Sequence, residues 1–93
     1  MSSKVLQDKV AIVTGAGRGI GRAIALAYAR EGARVVVASR TPATVDKVAG
    51  MIKAEGGTAL GVVCDVGKRD QVHACVEKTV AAFGTVHILV NNA

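Results

Sequence analysis

The run Val10-Ala11-Ile12-Val13-Thr14-Gly15-Ala16-Gly17-Arg18-Gly19-Ile20-Gly21-Arg22-Ala23-Ile24-Ala25 decides the fold. Residues 10–13 are continuously apolar and read as a strand that ends at Thr14. Glycines crowd the next turn, and an alanine-rich helical pattern follows at once. A strand, a glycine turn and a helix in direct succession present backbone N–H groups and a helix N-terminus to a phosphate. A nucleotide is therefore the first functional expectation.

The same alternation continues to the end of the chain. Residues 18–31 carry apolar side chains at helical spacing (Ile20, Ile24, Ala27, Tyr28), and Gly32 is a suitable C′ residue. Residues 34–39 contain Val35-Val36-Val37-Ala38, a second buried strand. Thr41 is placed to cap a helix whose first residue is Pro42. That helix runs to about Glu55, with Val45, Val48, Ala49 and Ile52 on one face, and Gly56-Gly57 breaks it. A third strand covers 58–65, a third helix with Val72, Val76 and Val80 covers 68–83, and Gly84 stops it. A fourth strand covers 86–90. The order βαβαβαβ, with strands apolar on both faces, predicts an α/β fold, a doubly wound parallel sheet covered by helices on both sides. The expected strand order is 3-2-1-4, with a nucleotide at the C-terminal strand ends near the switch between strands 1 and 4.

A chain of 93 residues suffices for one small domain, taken as residues 1–93, with a thin stability margin. Alanine, valine and glycine dominate, which suits close helix-on-sheet packing. A net charge of +5 raises nucleic acid as a partner. The basic residues are scattered, however, and Tyr28 and Phe83 are the sole aromatic residues, so the stacking platforms of single-strand binders are missing. No nucleic-acid partner is expected. Cys64 and Cys75 form no CxxC pair, and His73 and Cys75 fall on different faces of any helix, so no metal site is expected. Residues 1–8 are mostly polar, and no apolar stretch reaches membrane-spanning length. The expectation is a soluble, cytoplasmic protein with no membrane partner.

The glycine spacing departs from G-x-G-x-x-G. From Gly15 it reads G-x-x-x-G-x-G through Gly19 and Gly21, with Gly17 as an additional glycine. Gly15 permits a sharp exit from the strand, Gly19 lets backbone approach a ligand without a Cβ, and Gly21 lets the helix pack close. The N–H groups around Ile20 would face a pyrophosphate. The bland alternative is a glycine-rich βα turn that binds nothing; its place after the first strand of a βαβ series favours the ligand. No Gly-Lys-Ser/Thr closes the turn, which argues against a Walker-type loop.

Thr14-Gly15-Ala16-Gly17-Arg18-Gly19-Ile20-Gly21 resembles the TGxxxGxG signature of the short-chain dehydrogenase/reductases, a family with a Rossmann-type fold. Asp65-Val66 resembles that family's acidic residue after strand 3, and Asn91-Asn92-Ala93 its NNAG motif without the last glycine. The likeness runs from about Lys9 onward and is especially close to 3-oxoacyl-carrier-protein reductases. It implies that the glycine turn holds the adenosine side and pyrophosphate of a nicotinamide dinucleotide. Asp65 would bond the adenine amino group with the Val66 backbone beside it, and Asn92 and Ala93 would line the cleft near a ribose. Thr14 would brace strand 1 against residues 91–93. For Asp65 the plainer alternative is a carboxylate capping the third helix.

An NAD-preferring site usually carries an acid at the end of strand 2, about 20 residues past the turn, to hold the ribose 2′-OH. Ser39 stands there, followed by Arg40. A serine does not repel a 2′-phosphate, and an arginine attracts it with a charged fork. Arg18 would close on the same phosphate from the other side. NADP(H) is therefore expected over NAD(H), the alternative being that both arginines are solvated surface groups.

The resemblance also implies a Tyr-x-x-x-Lys pair, a serine and a further asparagine for hydride transfer, all beyond the NNAG motif. Tyr28 is followed four residues later by Gly32, not lysine, and His73 and His87 read as bland, so no catalytic residue is assigned within the chain. Two functions stand at this point. One is the cofactor half of a reductase that interconverts a carbonyl and an alcohol, with the family's usual homo-oligomer. The other is a nucleotide-binding fragment without catalysis that self-associates through an exposed fourth strand.

Overall fold

The computed structural model describes residues 5–17 and 19–92. Along the chain run β1 (Val10–Thr14), α1 (Gly19–Arg30), β2 (Arg34–Ser39), α2 (Pro42–Ala54), β3 (Thr58–Val63), α3 (Arg69–Phe83) and β4 (Ile88–Val90). The strands form a single sheet, all pairs parallel, in the expected order β3-β2-β1-β4. β3 stops two residues earlier than the sequence suggests, and β4 starts two later. The family resemblance and the predicted architecture agree with this sheet.

Side chains of a strand alternate between faces, and the core divides accordingly. Val13, Val35 and Val37 pack with Ala25 of α1 and with Val48, Ala49 and Ile52 of α2. Ile12, Val36, Ala38 and Val62 pack on the other face with Cys64 and with Cys75 of α3. α1 and α2 therefore cover one side and α3 the other. In α2 the large apolar residues were on the predicted face, and Val45, Val48, Ala49 and Ile52 are all buried. Arg30 and Glu55 clasp the ends of α1 and α2, with Nε–Oε1 and Nη2–Oε2 contacts of 2.9 and 3.0 Å.

Two helices match the expected faces only in part: Ile24 and Tyr28 of α1 and Val72 of α3 pack against the core, but the most deeply buried positions are small residues. Ile20, in the first turn of α1, is 71% exposed, and the buried positions are Gly21 and Ala25. In α3 the buried positions are Cys75 and Thr79, while Val76 and Val80 are exposed. Nor are all strands apolar on both faces. In β3, Ala59 and Val62 are buried while Thr58, Gly61 and Val63 are exposed, and Leu89 at the centre of β4 is 60% exposed.

Candidate functional site

Parallel register brings the strand ends to one rim. Thr14 pairs with Ala38, Ser39 with Val63, and Val13 with Val90. The residues that follow these positions surround a cavity of about 780 Å³. Its walls are Gly15, Gly17 and Gly19 after β1; Ser39, Arg40, Thr41 and Thr44 around the β2–α2 turn; Cys64, Asp65 and Val66 after β3; and Asn92 after β4. The volume suits a small-molecule ligand, and β1 with its neighbours β2 and β4 marks the point where the strand order reverses.

The glycine turn is shaped by close approach. Gly15 has φ +62°, and a Cβ there would collide with the backbone carbonyl of Asn92. A Cβ on Gly21 would collide with the carbonyl oxygen of Gly15 and stand 2.7 Å from Asn92 Nδ2. Gly21 thus seats α1 on the turn itself and on Asn92. Gly19 has φ +63° with nothing within 4 Å of an added Cβ, so backbone lies open there. The first turn of α1 carries no acidic residue, so no helix carboxylate answers its unpaired N–H groups or its positive dipole end. Such a terminus accommodates an anion.

The β4 side is pinned by Thr14. Its hydroxyl accepts from the Asn92 N–H at 3.0 Å and donates to the Val90 carbonyl at 3.1 Å, with Asn91 Oδ1 at 3.3 Å. The expected brace between strand 1 and the terminal asparagines is therefore present. At the opposite end His87 accepts the Val10 N–H on Nδ1 and donates its own N–H to the Val10 carbonyl, both at 2.9 Å. This histidine ties β4 to β1, far from the cavity.

On the β3 side, Asp65 does not cap α3, whose N-cap position is Lys68. Its carboxylate instead accepts from the Gly67 N–H at 2.9 Å, and its own N–H donates to Gln71 Oε1 at 2.8 Å. One carboxylate oxygen therefore shapes the turn, and the Asp65 side chain lies at the cavity wall. Cys64 and Cys75 are free and buried, and burial pushes both thiols up, Cys75 to about 11. Neither is a ready thiolate nucleophile. Among the described residues no group of three or more His, Cys, Asp or Glu is arranged to hold a metal, and no helix is long and apolar enough to cross a membrane.

Of the residues expected from sequence, Gly15, Gly17, Gly19, Ser39, Arg40, Asp65, Val66 and Asn92 meet around the cavity. Ile20 and Gly21 are not among its lining residues; Ile20 points to solvent and Gly21 supports the turn from behind. Arg18 and Ala93 lie outside the described residues. Thr41, Thr44 and Cys64 line the cavity without having been expected there. Thr41 occupies the N-cap position of α2, but its side chain makes no capping bond, and the Thr44 hydroxyl donates to the Thr41 carbonyl at 2.9 Å.

A family model described as short chain dehydrogenase matches residues 9–93. Hydroxysteroid dehydrogenase-like protein 2 of Xenopus laevis is 51% identical over 88 residues, covering 87% of this chain and 21% of the relative. An uncharacterized oxidoreductase of Mycobacterium tuberculosis is 47% identical over 87 residues, covering 94% of this chain and 33% of the relative. The chain thus spans between about a fifth and a third of the curated relatives it matches. The crystal structure of a hydroxysteroid dehydrogenase from Escherichia coli superposes with a TM-score of 0.93 at 40% identity, over 95% of this chain and 37% of that one. A citronellol catabolism dehydrogenase of Pseudomonas aeruginosa PAO1 does so with 0.94 at 38% identity, over 100% and 39%. With the glycine turn, the switch-point cavity and these matches in agreement, the chain belongs to the short-chain dehydrogenase family.

Proposed function

We propose that this chain is the NADP(H)-binding part of a short-chain dehydrogenase, one domain over residues 1–93, and that the whole protein interconverts a carbonyl and an alcohol. The bound nicotinamide would supply or accept the hydride. The chain's own residues bind and orient. The N–H groups of the turn and the start of α1 hold the pyrophosphate, with Gly19 leaving room for it. Asp65 takes the adenine amino group beside the Val66 backbone, and Asn92 and Ala93 border a ribose. Arg40 meets a ribose 2′-phosphate, and Arg18 would bind the same phosphate. The observation that carries the reading is one cavity lined by the glycine turn, Asp65, Val66 and Asn92, with Ser39 and Arg40 rather than an acid after β2.

Calorimetric titration tests it. NADPH should bind more tightly than NADH, and Ser39→Asp combined with Arg40→Leu should reverse the order. Tighter NADH binding by the wild type would overturn the coenzyme preference, and binding of neither would overturn the whole reading. Two buried free cysteines fit a reducing compartment such as the cytoplasm, and the family's usual homo-oligomer is proposed with it.

A second reading is favoured by the exposure of Leu89 (60%) on β4, which pairs with β1 alone among the described residues. In that reading these residues bind the nucleotide, catalyse nothing and associate through β4. NADPH binding without NADPH consumption across a carbonyl panel, together with concentration-dependent association in sedimentation, would support it.

A further inference from the structure

The β2–α2 turn holds two hydroxyls to which the coenzyme reading gives no task. Thr44 Oγ1 donates to the Thr41 carbonyl at 2.9 Å. It also lies 3.5 Å from Ser39 Oγ, which in turn accepts from the Thr41 N–H at 3.4 Å. A hydroxyl carries one proton. Thr44 gives its proton to Thr41, so Ser39 is the donor in the contact between the two side chains. Both protons are held inside the turn, and neither is directed at an anion in the cavity. Their contribution is to fix the loop that carries Arg40. The same side chains abut the neighbouring loop, since a Cβ on Gly17 would stand 2.7 Å from Thr44 Oγ1 and 3.1 Å from Ser39 Oγ. Thr44 thereby touches both turns that border the cavity.

We infer that Thr44 is a positioning residue for coenzyme selectivity. Its hydroxyl sets Ser39 and the Thr41 backbone so that Arg40 meets a ribose 2′-phosphate, and its carbon skeleton seats the Gly17 turn. The inference rests on the NADP(H) reading above. Thr44→Val keeps the shape and removes the hydroxyl; Thr44→Ser keeps the hydroxyl and removes the methyl. Calorimetric titration of the 93-residue chain with NADPH and with NADH separates the roles. Thr44→Val should weaken NADPH binding about fivefold, the scale of one lost hydrogen bond, and leave NADH binding within about twofold. Thr44→Ser should keep the wild-type ratio of the two affinities. If Thr44→Val also keeps that ratio, by weakening both coenzymes equally or neither, the inference fails while the NADP(H) reading stands. Lost selectivity in Thr44→Ser would assign the effect to shape and overturn the hydroxyl argument. A wild-type chain that binds neither coenzyme removes the underlying reading and this inference with it.

Discussion

Gly21 in α1 and Gly50 in α2 present the same residue in helical backbone, and the structure assigns opposite signs to replacing them by alanine. Alanine is favoured over glycine in a helix interior by about 1 kcal/mol. Propensity alone therefore makes both substitutions stabilising. At Gly50 an added Cβ meets nothing within 4 Å, so Gly50→Ala should realise most of that gain, about 0.5–1 kcal/mol. At Gly21 the Cβ would run into the Gly15 carbonyl oxygen and lie 2.8 Å from the Gly15 carbonyl carbon and 2.7 Å from Asn92 Nδ2. Asn92 Nδ2 is a side-chain tip that can turn aside, but Gly15 is turn backbone and does not yield, so the Gly15 carbonyl decides the cost. Relief requires α1 to lift from the turn, and overpacking of this kind costs about 1–3 kcal/mol. Overlap this deep with backbone puts the cost near the upper end, about 3 kcal/mol; less the propensity gain of about 1 kcal/mol, Gly21→Ala should lose about 2 kcal/mol, which lowers Tm by about 8–16 °C in a domain of this size. Far-UV circular dichroism melts of the wild type and both variants in one buffer measure the difference. A Gly21→Ala protein as stable as the wild type would refute the close seating of α1 on the glycine turn.

Three further outcomes follow from the same geometry. Thr14→Val removes the acceptor for the Asn92 N–H and the donor to Val90, and should cost about 1–3 kcal/mol, read as a lower urea midpoint at unchanged m; an unmoved midpoint would mean the hydroxyl is idle. Asp65→Asn keeps an oxygen for the Gly67 N–H, so stability should hold, while loss of the charged acceptor should weaken NADPH binding about fivefold; unchanged affinity would exclude the adenine role. Burial holds the Cys75 proton up to about pH 11, above the ordinary value of 9.0 that the unfolded chain would show. Stability from this thiol is complete below the lower value and is lost as pH rises through the upper one, because the unfolded state releases its proton first. Urea midpoints between about pH 8 and pH 11 should therefore fall less steeply for Cys75→Ala than for the wild type, and parallel slopes would refute the assignment.

The sheet was legible because β1, β2 and β4 centre on short aliphatic runs with no polar interruption. Val35, Val36, Val37 and Ala38 are buried as their pattern implies, and α2 shows its large apolar residues on a single face. The faces of α1 and α3 were legible only in part, since Ile24, Tyr28 and Val72 pack against the core but Ile20, Val76 and Val80 do not. Periodicity weighs large side chains, whereas close packing selects small ones, so Gly21, Ala25, Cys75 and Thr79 went inward while Ile20, Val76 and Val80 stayed out. At the cavity, the glycines and Asp65 stood out because their chemistry is special at a strand end. Thr41 and Thr44 looked like ordinary residues of a helix start. Their place in the site depends on the approach of α2 to Gly17, a contact between segments distant in sequence that local pattern does not encode.

β4 links the stability of the sheet to the completeness of the site. Ile88 and Val90 are half-buried and Leu89 is largely exposed, so a three-residue strand has little apolar burial to hold it. Polar pins supply its register, His87 with Val10 at one end and Thr14 with Val90 and Asn92 at the other. Asn92 is also a wall of the cavity, and its carbonyl occupies the space that a Gly15 side chain would need. The least supported strand therefore carries one side of the binding surface. A ligand that touches both the glycine turn and Asn92 bridges β1 to β4, and by mass action it stabilises the docked strand. Burial of Leu89 by further protein would act on the same equilibrium, because a strand held in place before binding leaves less ordering for the coenzyme to drive. Coenzyme affinity and β4 docking are in this way two measures of one coupled process.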